Sequence, residues 1–159
     1  MTDNILLDPT DIRVLRVLQR DASLSIAEVA KEAGMSQTPC WRRIKRLKEQ
    51  GVIRQITALI DREKVGLGFV AYSFVKLTVP SRENMDTFDK LIHHWPEVVI
   101  CERITGAVDY LIKVVTSDIK AYDNFLRLKL LDNTLVSDVQ SRIVVNTVKD
   151  TSALPLRES

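Results

Sequence analysis

The run Ser36-Gln37-Thr38-Pro39-Cys40-Trp41-Arg42-Arg43-Ile44-Lys45-Arg46-Leu47-Lys48 places two incompatible faces on one short helix. Cys40, Ile44 and Leu47 recur at i, i+4 and i+7 and form a narrow apolar stripe. Arg42, Lys45 and Arg46 project to the other side, with Thr38 one turn back. Such a cationic face is costly unless something anionic covers it, and its size fits the major groove of DNA. From this helix alone the competing reading is a solvated basic helix held down by its apolar stripe.

The residues before it favour the first reading. Ser25-Ile26-Ala27-Glu28 has the form of a capping box, in which hydroxyl and carboxylate each satisfy an orphan amide at a helix start. The helix then runs through Val29, Ala30 and Ala33, and Gly34 falls where a left-handed C′ residue belongs. Met35 tucks into the turn, Ser36 caps the next helix, and Pro39 falls in its first turn, where a missing N–H costs little. A supporting helix precedes both. Asp8 is its N-cap, Pro9 its N1 residue and Asp11 its acidic N3, with Ile12, Leu15 and Leu18 as the stripe and Val14 alongside. Three helices around one small core, ending near Gly51, form a helix-turn-helix head.

Charge follows the same division. Residues 1–62 hold 11 Lys+Arg and 8 Asp+Glu, net +3, whereas residues 63–159 are net −1. Between 36 and 54 the basic residues Arg42, Arg43, Lys45, Arg46, Lys48 and Arg54 face Glu49 alone, a local patch of the kind that binds nucleic acid. Thr38, Trp41, Arg42, Arg43, Lys45 and Arg46 are the candidate DNA-binding residues. Trp41 lies at the border of the buried stripe, either packing or offering its indole N–H to a phosphate. No apolar run reaches the ~18 residues that a membrane span needs. The start, Met-Thr-Asp-Asn-Ile-Leu-Leu, has no basic region ahead of its short apolar run, so we expect no signal peptide and a cytoplasmic protein. Cys40 and Cys101 fall in different expected domains and are expected to be reduced. His93-His94 has no apparent third ligand, so no metal site is expected.

After Gly51 the periodicity changes. Val52–Ile60 is β-branched and partly alternating and reads as a strand leaving the head. Residues 61–68, with Gly66 and Gly68, read as a hinge. Then come a strand at Phe69–Val79 and a helix at Arg82–Trp95 with Met85, Phe88, Leu91, Ile92 and Trp95 on one face. Strands at Val98–Ile104 and Tyr110–Thr116 follow. A helix at Lys120–Leu131 packs through Tyr122, Phe125, Leu126 and Leu130, and the last strand lies within Val136–Val148. The expected domains are therefore 1–60, 61–68 and 69–159. The fold class is α+β: a winged-type helix-turn-helix head and a ferredoxin-like βαββαβ domain that also carries the C-terminal tail. One face of such a sheet carries the helices; the other is most cheaply covered by the same face of a second subunit, which predicts a homodimer.

These residues resemble the Lrp/AsnC family of transcription regulators over nearly the whole chain. The resemblance runs through Leu7-Asp8-x-x-Asp11-Ile12-x-x-Leu15-x-x-Leu18-Gln19-x-Asp21, Thr38–Leu47 and Gly51-Val52-Ile53. It continues in Thr105-Gly106-x-x-Asp109-Tyr110-Leu111, Ala121-Tyr122-x-x-Phe125 and the tail Thr151–Leu156, which is similar to members that regulate amino-acid catabolism. It implies a DNA-binding homodimer that assembles further, often to an octamer. It also implies a small effector, usually an amino acid, bound between dimers, and no other cofactor. Carried over by position, the effector-binding residues are Thr105, Gly106, Ala107, Val108, Asp109 and Tyr110, with Asp109 as acceptor for an ammonium and amides around Gly106 as donors to a carboxylate. Read without the family, the same turn is a hairpin connection. Val108 stands where many members carry an aromatic residue. Asp132-Asn133-Thr134-Leu135 replaces a usual Pro-Gly loop, with Asn133 the candidate for positive φ. Two other classes are open to such a sequence. One is an effector-independent architectural DNA-binding protein. The other is a small enzyme, disfavoured because no nucleophile–base pair, phosphate loop or metal spacing is visible.

Overall fold

The computed structural model describes residues 6–157; Met1–Ile5, part of the stretch read above for a leader, lie outside the described residues. The chain divides into two compact units, Met1–Leu59 with Lys149–Ser159, and Ile60–Val148. By its contacts the tail, Lys149–Ser159, groups with the first unit.

In the first unit, α1 (Pro9–Arg20), α2 (Ile26–Glu32) and α3 (Gln37–Glu49) begin at Asp8, Ser25 and Ser36. The expected capping box forms at Ser25, and the expected N-cap at Asp8 closes into a second one. The Asp11 amide donates to Asp8 Oδ1 at 2.8 Å and the Asp8 amide to Asp11 Oδ2 at 3.1 Å; Ser25 and Glu28 exchange the equivalent pair. At the end of α2, Gly34 has φ +70° and the Met35 amide reaches Ala30 O at 2.9 Å, which satisfies carbonyls the helix leaves open. Ser36 occupies the N-cap position of α3, but its hydroxyl makes no cap hydrogen bond. The N3 residue is Pro39, which has no N–H to give it. Val14, Val17, Val29, Ala30, Ala33, Cys40 and Ile44 form the core, with Leu18, Met35 and Ile53 packed against it.

Val52–Ile60 is not a strand. Beyond the half-buried Val52 and Ile53 the segment is exposed. β-branched residues suit a sheet but do not make one without a neighbour to pair with. The head therefore has no paired strand among its described residues. Residues 61–68 are a hydrogen-bonded turn: Asp61 Oδ1 accepts from the Glu63 amide at 3.1 Å, and Arg62 donates to Gly68 O at 2.9 Å.

The second unit contains β1 (Phe69–Leu77), α4 (Arg82–Ile92), β2 (Val98–Arg103), β3 (Tyr110–Thr116), α5 (Ile119–Phe125) continued by a π-helical segment Leu126–Leu131, and β4 (Val136–Ile143). The sheet order is β2-β3-β1-β4 with every neighbour antiparallel, the ferredoxin-like arrangement. Alternation sends Ala71, Ser73, Val75 and Leu77 of β1 and Tyr110, Ile112 and Val114 of β3 into one core with Phe88, Ile92, Tyr122, Phe125 and Leu130. Ser73 Oγ and Tyr122 Oη, 2.9 Å apart, satisfy each other inside it.

The boundaries differ from expectation in places. α4 stops at Ile92, Leu91 points to solvent, and Trp95 packs edge-on to Phe88 and Phe125 from beyond the helix. Asn133 keeps a negative φ; its side chain accepts from the Leu135 amide at 3.0 Å and so turns the chain without a left-handed residue. β4 does lie within the expected Val136–Val148, but it ends at Ile143 and leaves Val145 and Val148 exposed.

Glu97 accepts from Lys129 Nζ at 2.9 and 2.8 Å through its two oxygens. Partial burial is the largest single influence and raises the carboxyl, but the Lys129 hydrogen bonds, the residue's own backbone amide and the Lys129 charge together outweigh it and hold Glu97 below its ordinary range. A depressed carboxyl adds stability that is complete above the unfolded value and is lost as pH falls through the folded one. The melting temperature of Glu97→Gln should therefore fall less than that of wild type between about pH 5 and pH 3. Parallel acid profiles would show that the pair contributes nothing.

Candidate nucleic-acid interface and effector turn

Helical spacing and capping fix which side of α3 is open. Cys40, Ile44 and Leu47 are buried as expected, which leaves Thr38, Trp41, Arg42 and Lys45, at i, i+3, i+4 and i+7, on the solvent face. Trp41 is 51 % exposed, so of its two readings packing is the lesser. Lys45 Nζ stands 5.5 Å from the Trp41 ring centroid and 3.8 Å from Glu49, both weak, solvent-screened contacts. Arg42 is exposed and makes no ion pair among the described residues.

Arg43 and Arg46 are placed differently from the expectation of a bare basic face. Arg43 Nη1 donates to Asp8 Oδ2 at 2.5 Å and to Asp11 Oδ1 at 2.8 Å, and Arg46 Nη2 donates to Asp11 Oδ2 at 2.6 Å. Asp11 is only 1 % exposed, so it is a buried carboxylate with both oxygens occupied. The Arg43 hydrogen bond, helped by the Asp11 amide, holds the Asp8 carboxyl below its usual range. A capping box explains two acids at i, i+3; it gives no hint that the same acids grip α3. The available signal was the matching i, i+3 spacing of Arg43 and Arg46.

The effector turn follows β2. Thr105, Gly106 and Ala107 are exposed, while Val108 and Asp109 are half-buried. Gly106 has φ +125°, a conformation other residues rarely adopt. The Asp109 amide donates to Val75 O at 2.9 Å, and Asp109 Oδ2 accepts from the Leu77 amide at 2.7 Å, where the β1–β4 register shifts between Lys76 and Leu77. One Asp109 oxygen is thus committed to an amide that the sheet leaves over at an irregularity.

Tyr110 does not join the turn with its side chain. The alternation of β3 buries it completely, and its hydroxyl donates to Asp89 Oδ1 at 2.9 Å. Burial, then the bond to Asp89, pushes that hydroxyl well above its ordinary pKa. Arg103 Nη2 reaches Asp89 at 2.6 Å and Asp86 at 3.0 Å, so Tyr110 belongs to a network that pins the end of β2 to α4, which the sequence reading missed. A shallow hollow of about 560 Å³ along α4, lined by Arg82, Glu83, Asp86, Thr87 and Lys90, lies outside the turn.

A helix-turn-helix head and a ferredoxin-like domain on one chain define a DNA-binding regulator with a separate ligand-binding domain. Residues 7–54 match the winged helix-turn-helix DNA-binding family and residues 70–154 the Lrp/AsnC ligand binding domain. The chain belongs to the Lrp/AsnC family of transcription regulators. It is 37 % identical over 154 residues to the transcriptional regulator AzlB of Bacillus subtilis, covering 97 % of this chain and 98 % of that protein. It is 36 % identical to the transcriptional activator DecR of Escherichia coli, covering 95 % and 99 %. Among solved structures it is similar to the complex of transcriptional regulator NMB0573 with L-Met from Neisseria meningitidis, with TM-score 0.90, 36 % identity and coverage of 94 % and 97 %. An AsnC family regulator from Agrobacterium tumefaciens matches at TM-score 0.89 and 39 % identity over 94 % and 97 %. Among the described residues no helix is long and apolar enough to cross a membrane.

Proposed function

We propose that this regulator acts in the cytoplasm as a homodimer-based assembly of octamer type, not as an enzyme, and that an amino acid bound at the Gly106–Asp109 turn changes how it holds DNA. Thr38, Trp41, Arg42 and Lys45 face the duplex; Arg43 and Arg46 flank them. The observation that carries the DNA half is Arg42, unpaired among the described residues, beside Thr38, Trp41 and Lys45 on the exposed side of α3. The effector half is supported by the L-Met bound to the similar NMB0573 regulator. The dimer reading rests on the sheet face away from the helices. There Tyr72, Phe74, Leu111 and Val115 are half-buried and Ile100 is exposed, with Val52–Ile60 lacking a strand partner. In this assembly a second copy covers that face.

Thermal unfolding of the full chain against all twenty amino acids tests the effector. One or a few should stabilise it, by about 2.7 kcal/mol at a hundredfold excess over Kd. Asp109→Ala should abolish that shift, on a lower baseline because the Leu77 amide loses its acceptor. A flat panel would favour the second reading, an effector-independent architectural protein. The commitment of Asp109 Oδ2 to the Leu77 amide specifically favours that reading.

A further inference from the structure

α3 carries Arg42, Arg43, Lys45, Arg46 and Lys48 against Glu49, a density that would attract any duplex regardless of sequence. Two of those charges are cancelled at contact. Asp11 Oδ1 accepts from Arg43, while its Oδ2 accepts from Arg46 and from the Asp8 amide; Asp8 Oδ2 accepts from Arg43 as well. Two acids one turn apart on the start of α1 thus face two arginines one turn apart on α3, and the four together carry no net charge.

We propose that Asp8 and Asp11 are specificity-setting residues of DNA recognition: they neutralise Arg43 and Arg46 and so remove charge from sequence-independent binding. This rests on the reading of α3 as the DNA-facing helix. Non-specific affinity grows with the number of phosphates that unneutralised cations cover, because each releases a condensed counterion. An arginine already held by a carboxylate presents a dipole and adds little to that count. Specific affinity depends on hydrogen bonds from the outer face, which keeps Arg42 and Lys45. Lowering the first quantity while keeping the second raises the ratio by which a site is found among competitors. The pairs also fix the roll of α3 against α1. Asp11 is therefore a positioning residue too, and the test must separate charge from position.

The test is binding of full-length protein to a 30-base-pair duplex of unrelated sequence, followed by fluorescence anisotropy from about 50 to 300 mM NaCl. At an N-cap Asn serves as well as Asp, so Asp8→Asn keeps the cap of α1 while removing the charge and the second acceptor that Arg43 uses. We expect Asp8→Asn to bind more tightly than wild type at low salt and to steepen the slope of log K against log[NaCl] by up to ~0.9 per head. Asp11→Asn should steepen it by ~1–2. Adding Arg43→Gln to Asp8→Asn should restore the wild-type slope, which loss of position alone would not do. An unchanged or shallower slope in Asp8→Asn overturns the proposal, whether or not Asp11→Asn folds. If wild type fails to bind the duplex at 50 mM NaCl, the DNA-facing reading of α3 falls first and the proposal with it.

Discussion

An Arg42→Ala, Lys45→Ala double variant loses about 2–6 kcal/mol of DNA-binding free energy, on the basis of about 1–3 kcal/mol for each contact. These two cations stand on the exposed side of α3 and are not engaged by Asp8 or Asp11. Lys45 has only Glu49, at 3.8 Å between exposed side chains, which costs little to exchange for a phosphate. If both meet phosphates, all sequences weaken alike and the salt slope falls by ~2. If Arg42 reads a base edge, specificity relaxes at one position while the slope falls by ~1. Titrations on a bound site and on an unrelated duplex distinguish the two. Helix content should not change, because neither side chain packs in the core. Affinity within threefold of wild type on both duplexes would place the DNA surface elsewhere.

Phe88→Ala destabilises the second unit by about 3–5 kcal/mol, the range for emptying a buried aromatic site. Phe88 is fully buried where three elements meet. Its ring centroid lies 4.7 Å from that of Tyr110 on β3 and 6.0 Å from that of Trp95 beyond α4. The cavity would lie beneath the Asp89–Arg103–Tyr110 network, so the anchorage of β2 should loosen with it. A loss of this size is a large part of the ~5–15 kcal/mol that holds a typical domain together. Urea unfolding followed through Trp95 fluorescence should show an earlier midpoint at nearly unchanged m-value. A cost below ~1 kcal/mol would mean that the neighbours collapse into the space.

Local rules were the legible part of this fold. Capping at Asp8 and Ser25, the left-handed Gly34 and the stripe Cys40-Ile44-Leu47 each depend on residues within a turn or two, so spacing suffices to place them. The order of strands and helices followed from changes in period. What escaped depended on distant partners. Val52–Ile60 has the residues of a strand but no neighbour to hydrogen-bond. Tyr110 directly follows the Gly106–Asp109 turn in sequence, but alternation with the buried Ile112 and Val114 sends its side chain into the core. Arg43 and Arg46 looked free because the acids that hold them lie 32 to 35 residues away.

The head also has an unusual relation to time. Gln19 holds Leu154 from both sides, donating to its carbonyl at 3.3 Å and accepting from its amide at 2.7 Å, while Arg16 donates to Leu156 O at 2.8 Å. The three helices are complete by Gln50, yet the residues that fasten to α1 follow only after the whole second unit, Ile60–Val148. At ~5–20 residues per second, about 100 residues of synthesis separate the two, an interval of roughly 5–20 s. A nascent head on the ribosome therefore presents its outer α1 surface without its strap, and receives it only after the whole of the second unit has been translated.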